Sequence, residues 1–240
     1  MITTCLLLVP LVGVYNASQE SRKELTVHKI TLDDHAVSLE AVAQAFDGAH
    51  IPFHKIAASW EMFPYHPETR FRIAYDDKAL YLQYTVRETY LLAQCELEDA
   101  TCWPANDSCV EFFVSPGSDN QYLNFEFSCI GYCLIQTGEK GTERERLPLE
   151  VTKQVKRKST LGNQPFEHKE GDFSWTITIA IPLSLMTEQD GASLSGTQWK
   201  ANFYKCGDEL KEKAYLAWSP VNMPSPTFHQ PQEFGTIVFE

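Results

Sequence analysis

Apolar and polar residues alternate with a period of two along most of this chain. Trp175-Thr176-Ile177-Thr178-Ile179-Ala180-Ile181 and Asn124-Phe125-Glu126-Phe127 are clear instances. Such alternation marks strands with one buried face. With Gly, Pro, Asn and Asp as boundaries, it predicts strands at Leu25–Ile30, Phe71–Tyr75, Ala79–Arg87, Ser108–Val114, Tyr122–Ser128 and Tyr132–Thr137. Further strands are predicted at Val151–Lys156, Phe173–Ile181, Trp199–Lys205, Ala214–Trp218 and Thr236–Phe239. The acidic turn Asp76-Asp77-Lys78 joins two of them into a hairpin. Helical patterning is confined to His35–Phe46, with Asp34 as its cap, and to a turn or two after Pro182 through Leu183 and Leu185 to Met186. Many short strands at regular spacing predict an all-β fold, an antiparallel, jelly-roll-like β-sandwich with one or two short helices.

No Gly-, Ser- or Pro-rich linker, low-complexity run or internal repeat divides the chain, so residues 18–240 read as one domain. Residues 1–17 read as a signal-peptide remnant. Cys5–Val14 has the apolar core of such a leader, although no Lys or Arg precedes it. The expectation is an exported protein, secreted, periplasmic or at the cell surface. No other segment is long and apolar enough to span a bilayer.

Charge narrows the partners. With 20 Lys+Arg against 32 Asp+Glu, the net charge of −12 opposes binding to nucleic acid or anionic membrane. The one basic cluster, Lys153 to Lys158, alternates with apolar residues and is predicted to be an exposed strand. Of the seven cysteines, six would remain after removal of a leader carrying Cys5, and their spacing reveals no pairing. No C-x-x-C pair supports a zinc ribbon or thioredoxin-like motif.

Catalytic signatures are missing. There is no G-x-S-x-G elbow, no Gly-rich phosphate loop, and no ligand spacing among the seven histidines. Asp76-Asp77 and Asp33-Asp34 could offer oxygens to calcium, but neither follows a calcium-loop pattern, and turn and cap roles account for both. Binding residues stand out more clearly. Trp103-Pro104 lies at the mouth of the strand Ser108–Val114, which carries Glu111 inside an apolar run. A carboxylate there is costly unless hydrogen-bonded or placed where a ligand uses it. A flat indole near a fixed carboxylate suits a ring with one apolar face and a fringe of hydroxyls, such as a sugar. Trp218-Ser219-Pro220 repeats the arrangement at another strand end, whereas Trp175 and Trp199 sit inside strands and read as core. Trp60 suits either role. Asp107 reads as a residue that holds the loop.

Three segments together resemble carbohydrate-binding module family 9 and its family-9-like relatives in gut Bacteroidetes. They are Trp103-(x)3-Asp107-Ser108-Cys109-Val110-Glu111-Phe112-Phe113-Val114, then Tyr122-Leu123-Asn124-Phe125-Glu126-Phe127-Ser128 with Gly131, and the C-terminal run. That run comprises Trp199 to Cys206, Tyr215-Leu216-Ala217-Trp218-Ser219-Pro220 and Phe228 to Ile237. The hairpin from Tyr75 to Leu82 also fits, so the resemblance spans roughly Trp60 to Glu240. It implies a non-catalytic β-sandwich that binds the ends of glycan chains between two tryptophans, with structural calcium in many members. Carried over by position, the sugar-binding residues would be Trp103, Glu111, Asn124, Asn202 and Trp218. The partner would be a mono- or oligosaccharide chain end, alongside glycan-degrading enzymes. Two other readings stay open. One is a haem-binding or redox sandwich using Met62, Met186 or Met223. The other is a structural surface protein without a sugar site.

Overall fold

A computed structural model describes residues 21–32, 38–117, 120–187 and 193–240. The leader and the pair Asp33-Asp34 lie outside the described residues. In chain order the strands are β1 (Glu24–Lys29), β2 (His54–Ile56), β3 (Ala58–Ser59), β4 (Glu68–Tyr75), β5 (Ala79–Ala93), β6 (Cys109–Ser115) and β7 (Gln121–Ser128). They continue with β8 (Cys133–Glu139), β9 (Glu145–Arg146), β10 (Lys156–Ser159), β11 (Phe166–Pro182), β12 (Gln198–Gly207), β13 (Ala214–Ala217) and β14 (Gly235–Phe239). Among the described residues, two short α-helices, α1 (Leu39–Gly48) and α2 (Leu149–Thr152), and three 3₁₀ turns complete the regular structure.

The strands form a β-sandwich. Sheet one runs β1-β14-β12-β6-β7-β8-β9, with β13 also on β12 and β3 on β13. Sheet two runs β10-β11-β5-β4-β1, with β2 on β4. Pairing is antiparallel except at β1, which lies parallel to both β14 and β4 and so stitches the sheets together. Alternation sends Val110, Phe112 and Val114 of β6 into the space between the sheets, where Leu80, Leu82 and Tyr84 of β5 meet them. Phe71 stacks on Phe203 with ring centres 3.7 Å apart, joining the two layers at the middle of the core.

The outer faces differ. Sheet two is covered by α1, whose Ser38 cap accepts a bond from Ala41 N at 3.1 Å. Its Val42 and Phe46 pack on Ala74, Tyr81 and Ala180. The helix runs from Leu39 to Gly48, beyond the predicted end at Phe46; the predicted start at His35 and cap at Asp34 lie outside the described residues.

The predicted strand Val151–Lys156 is corrected. Pro148 starts a helical turn instead, and Lys153 N donates to Leu149 O. The strand begins only at Lys156 and lies at the sheet edge, bonded to β11. Arg157 within it does not simply face solvent: its guanidinium donates to the carbonyls of Gly131, Thr152 and Val155. After Pro182 the chain makes a single 3₁₀ turn, Leu183–Leu185. Among the described residues, no helix is long and apolar enough to cross a membrane.

Candidate functional site

The outer face of sheet one carries polar residues in register. Tyr204 of β12 lies opposite Glu111 of β6, which lies opposite Glu126 of β7. The neighbouring row is Asn202, Phe113, Asn124 and Gln136. Because side chains repeat every second residue, both rows point away from the inter-sheet core. Above them opens a cleft of about 280 Å³, with Glu111, Glu126, Gln136 and Cys206 on its floor. Trp103 and Ala105 form one wall, and Asp208, Tyr215, Pro226, Thr227, Phe228 and His229 complete the lining.

Local bonds hold each wall in place. A disulfide joins Cys95 to Cys102, immediately before Trp103. Asp107 clamps the loop's two ends, its carboxylate accepting from Gln94 N at 2.8 Å and Cys95 N at 3.1 Å. Burial pushes that carboxyl upward, while the two N–H donors oppose the shift. Arg146 lies over the Trp103 ring at 5.3 Å and donates to the Cys102 carbonyl. The indole is nonetheless 50% exposed. On the opposite wall Phe228 stacks on Tyr204 with centres 4.1 Å apart. Tyr215 packs edge-on against Phe63, and Tyr122 Oη lies 2.9 Å from His229 Nδ1.

Electrostatics are unusual on the floor. Glu111 and Glu126 are buried carboxyls directly opposite each other. Burial is the main reason that Glu111 holds its proton well above the carboxylate range, with Cys206 and Glu126 adding to it. Burial likewise pushes Glu126 up to about 7, against the pull of the Asn124 amide and of Arg146 and Arg144. His229 is driven down to about 4, first by burial and then by Arg144.

Of the residues expected from sequence, the structure brings Trp103 and Glu111 into the cleft. Asn124 lies just beneath it. Its amide donates to Glu126 Oε1 at 2.8 Å and to Gln136 Oε1, while its oxygen accepts from Arg144. All its bonding capacity serves its neighbours, so it positions the floor and has none left for a ligand.

Trp218 and Asn202 are corrected. Trp218 is 3% exposed and sits between the sheets, edge-on to Phe71 and Phe203. It fits there because Gly235 has no side chain: a Cβ at that position would lie 2.5 Å from the indole. Trp218 therefore offers no face to a ligand. Asn202 is also buried, and exchanges bonds with the backbone of Ser219, Nδ2 to O and N to Oδ1, each at 2.9 Å. Those bonds hold the chain where it leaves β13. Trp60 is buried too, its indole N–H donating to Met223 O at 2.8 Å. Sequence reasoning did not single out Glu126, Gln136, Tyr215, Phe228 or His229. The polar positions in Asn124-Phe125-Glu126-Phe127 were the available signal for Glu126.

Of the acids suggested for calcium, Asp33 and Asp34 lie outside the described residues, and Asp76 and Asp77 already have partners. Calcium takes six to eight oxygens. Asp76 already accepts from Lys78 N, Ala79 N and Tyr81 Oη, and Asp77 pairs with Lys29. The methionines named for a haem site do not converge. Met62 is exposed, Met186 lies in the inter-sheet core, and Met223 lies in the loop that holds Trp60.

Comparison with known proteins gives a consistent picture. The family described as carbohydrate-binding family 9 matches residues 40–239. A crystal structure described as a candidate carbohydrate-binding protein from Bacteroides uniformis is 40% identical, with a TM-score of 0.85, covering 92% of this chain and 100% of that one. Two structures of a family 9 module from Caldicellulosiruptor kristjanssonii share the fold at 14% identity. One, with cellotriose, has a TM-score of 0.54 and coverage of 91% and 94%. The other, with glucose, has a TM-score of 0.52 and coverage of 91% and 96%. No curated protein matches the chain.

Proposed function

Because this chain belongs to carbohydrate-binding family 9, whose modules bind carbohydrate without catalysing a reaction, we propose that the Trp103 cleft is its sugar site. A pyranose ring lays its apolar face on the exposed side of Trp103. The opposing aromatic surface comes from Tyr215 and Phe228 in place of a second tryptophan. Glu111, Glu126 and Gln136 meet the hydroxyls from below. The observation that carries this reading is one half-exposed indole beside a floor of buried carboxyl and amide groups. A few placed polar groups under an apolar wall are the usual make-up of a small-ligand pocket. A protonated Glu111 can donate to a hydroxyl oxygen, and Gln136 can donate or accept, so the floor suits the mixed donors and acceptors of a sugar edge.

The cleft is lined by three acidic residues, Glu111, Glu126 and Asp208, and by no Lys or Arg. This favours neutral sugars over uronic acids. The glucose and cellotriose held by the Caldicellulosiruptor module make glucans the first class to try. Stacking on one indole contributes about 1 kcal/mol beyond area, by analogy with aromatic pairs. Binding should therefore be weak and insensitive to salt. The Cys95–Cys102 disulfide supports an exported protein, since such bonds persist in oxidising compartments.

Titration calorimetry with glucose, cellotriose and a xylo-oligosaccharide tests the proposal. Heat with at least one neutral sugar, lost in Trp103→Ala, is the expected result. Absence of heat across that panel, or an affinity unchanged in Trp103→Ala, would sink it.

A further inference from the structure

At the Cys206 end of the cleft floor, Glu111 also belongs to a cluster with two cysteines. Cys109 and Cys206 are register partners on β6 and β12. Glu111 is two residues along β6 from Cys109, so both side chains leave the same face. The two sulfurs and a Glu111 carboxylate oxygen all lie within 4.8 Å of one another, and all three residues are buried. Cys206 Sγ stands 2.9 Å from Glu111 Oε1. A second observation points the same way. Glu126, the register partner of Glu111, is 4% exposed, and its Oε2 has no hydrogen-bond partner. Two thiols and two carboxyls thus lie buried on one face of the sheet, and no Lys or Arg lines the cleft above them.

We propose that Cys109, Cys206 and Glu111 form a site for one zinc-like divalent cation. Two sulfurs and a carboxylate make a borderline-soft donor set, the kind that selects zinc over calcium or magnesium. Tetrahedral zinc, with bonds of about 2.3 Å to sulfur and about 2.0–2.2 Å to oxygen, sets its ligands about 3.4–3.8 Å apart. Three groups already within 4.8 Å need only small side-chain shifts to reach that spacing. Cys206 and Glu111 line the cleft, which leaves an entry path and a fourth position for water. Uptake releases the two thiol protons, and the Glu111 proton where present, to solvent, so binding is tighter at higher pH. The cation would also offset charge on the Glu126 carboxylate, whose Oε2 has no hydrogen-bond partner. Glu111 is shared with the sugar reading, but the readout uses no carbohydrate, so the two can fail separately.

The test is titration of the full chain, thiols reduced and air excluded, with cobalt(II) alone and then with zinc(II). The expected result is a thiolate-to-cobalt charge-transfer band and tetrahedral visible bands, saturating at one equivalent and bleached by zinc. Cys206→Ser and Cys109→Ser should lose these bands, whereas Cys129→Ser, a buried thiol outside the cluster, should keep them. If the serine variants fail to fold, Glu111→Gln decides: a drop of at least tenfold in zinc affinity against a chromophoric chelator supports the site. Three results would overturn it. These are no charge-transfer band at saturating cobalt, bands that survive Cys206→Ser, and a free-thiol count showing Cys109 and Cys206 joined in a disulfide in the protein as isolated.

Discussion

Two buried glutamates meet the cost of burial in opposite ways. Glu88, on β5, points between the sheets. It forms an ion pair with Lys205 at 3.0 Å and accepts the Trp175 indole N–H at 2.6 Å. Both charged side chains of that pair are fully sealed from water. Glu126, on the outer face of sheet one, has no lysine or arginine in hydrogen-bonding contact. It accepts one bond from Asn124, leaves Oε2 unpartnered, and holds its proton up to about 7. An isolated charge in a low-dielectric interior is strongly unfavourable, so a buried acid must find a cation or keep its proton. Glu88 takes the first course and ties the two sheets together. Glu126 takes the second, and its place beneath a solvent-open cleft leaves it available to a ligand. The lesson is that two equally buried acids can differ in what stands against them: Glu88 has a lysine, whereas Glu126 has an asparagine amide.

The largest test of this contrast is to break the inter-sheet pair. Lys205→Met should cost about 3–5 kcal/mol, because it strands Glu88 without a cation. Adding Glu88→Leu should recover much of the loss, which urea unfolding of the single and double variants would reveal. By contrast, Glu126→Gln should change stability by less than about 1 kcal/mol near pH 7, since the native carboxyl is already half protonated there and has no cation to lose. Equal losses in Lys205→Met and Glu126→Gln would abolish the distinction.

The two tryptophans at strand ends extend the comparison. Trp218→Ala opens a cavity beside the stacked Phe71 and Phe203 rings and should cost about 3–5 kcal/mol. Trp103→Ala removes a half-exposed ring and should cost less than about 1 kcal/mol while abolishing sugar binding. Thermal unfolding paired with sugar calorimetry separates these outcomes. Sugar-dependent quenching of tryptophan fluorescence that persists in Trp103→Phe would point to a different wall.

A smaller effect concerns pH. His229 has a folded pKa of about 4, below its ordinary value of about 6.5, so the native state resists its protonation. Its contribution to stability is fully present above about 6.5 and is lost as pH falls from 6.5 towards 4. In His229→Gln the corresponding slope of stability with pH should vanish over that window. Urea midpoints measured at several pH values would show it, and identical slopes for both proteins would reject it.

Much of this molecule was legible in its sequence because its causes are local. Alternation placed β5, β6, β7, β11 and β12 to within a few residues at most boundaries, since each strand needs one apolar face. β11 ran longer than expected at its N-terminal end, because residues 167–172 are polar and exposed and so carry no apolar alternation. The Trp103 loop, the strand carrying Glu111 and the loop-holding role of Asp107 also followed from residue types alone.

What sequence could not decide was which aromatic and which polar residue would face water. Trp103 and Trp218 have matching local settings, each at a strand end beside a proline. Their fates diverge because Gly235, far along the chain, leaves a slot that only the folded sheets bring against Trp218. Asn202 is absorbed by the Ser219 backbone for the same reason: a turn made distant atoms adjacent. The cleft itself is wholly a product of register. β6 and β7 set Glu111 against Glu126, β12 sets Cys206 against Cys109, and Tyr215 and Phe228 arrive from later segments. Local patterning determines which face of each strand is apolar. Which side chains meet across strands depends on pairings between distant segments, and only the tertiary structure sets them.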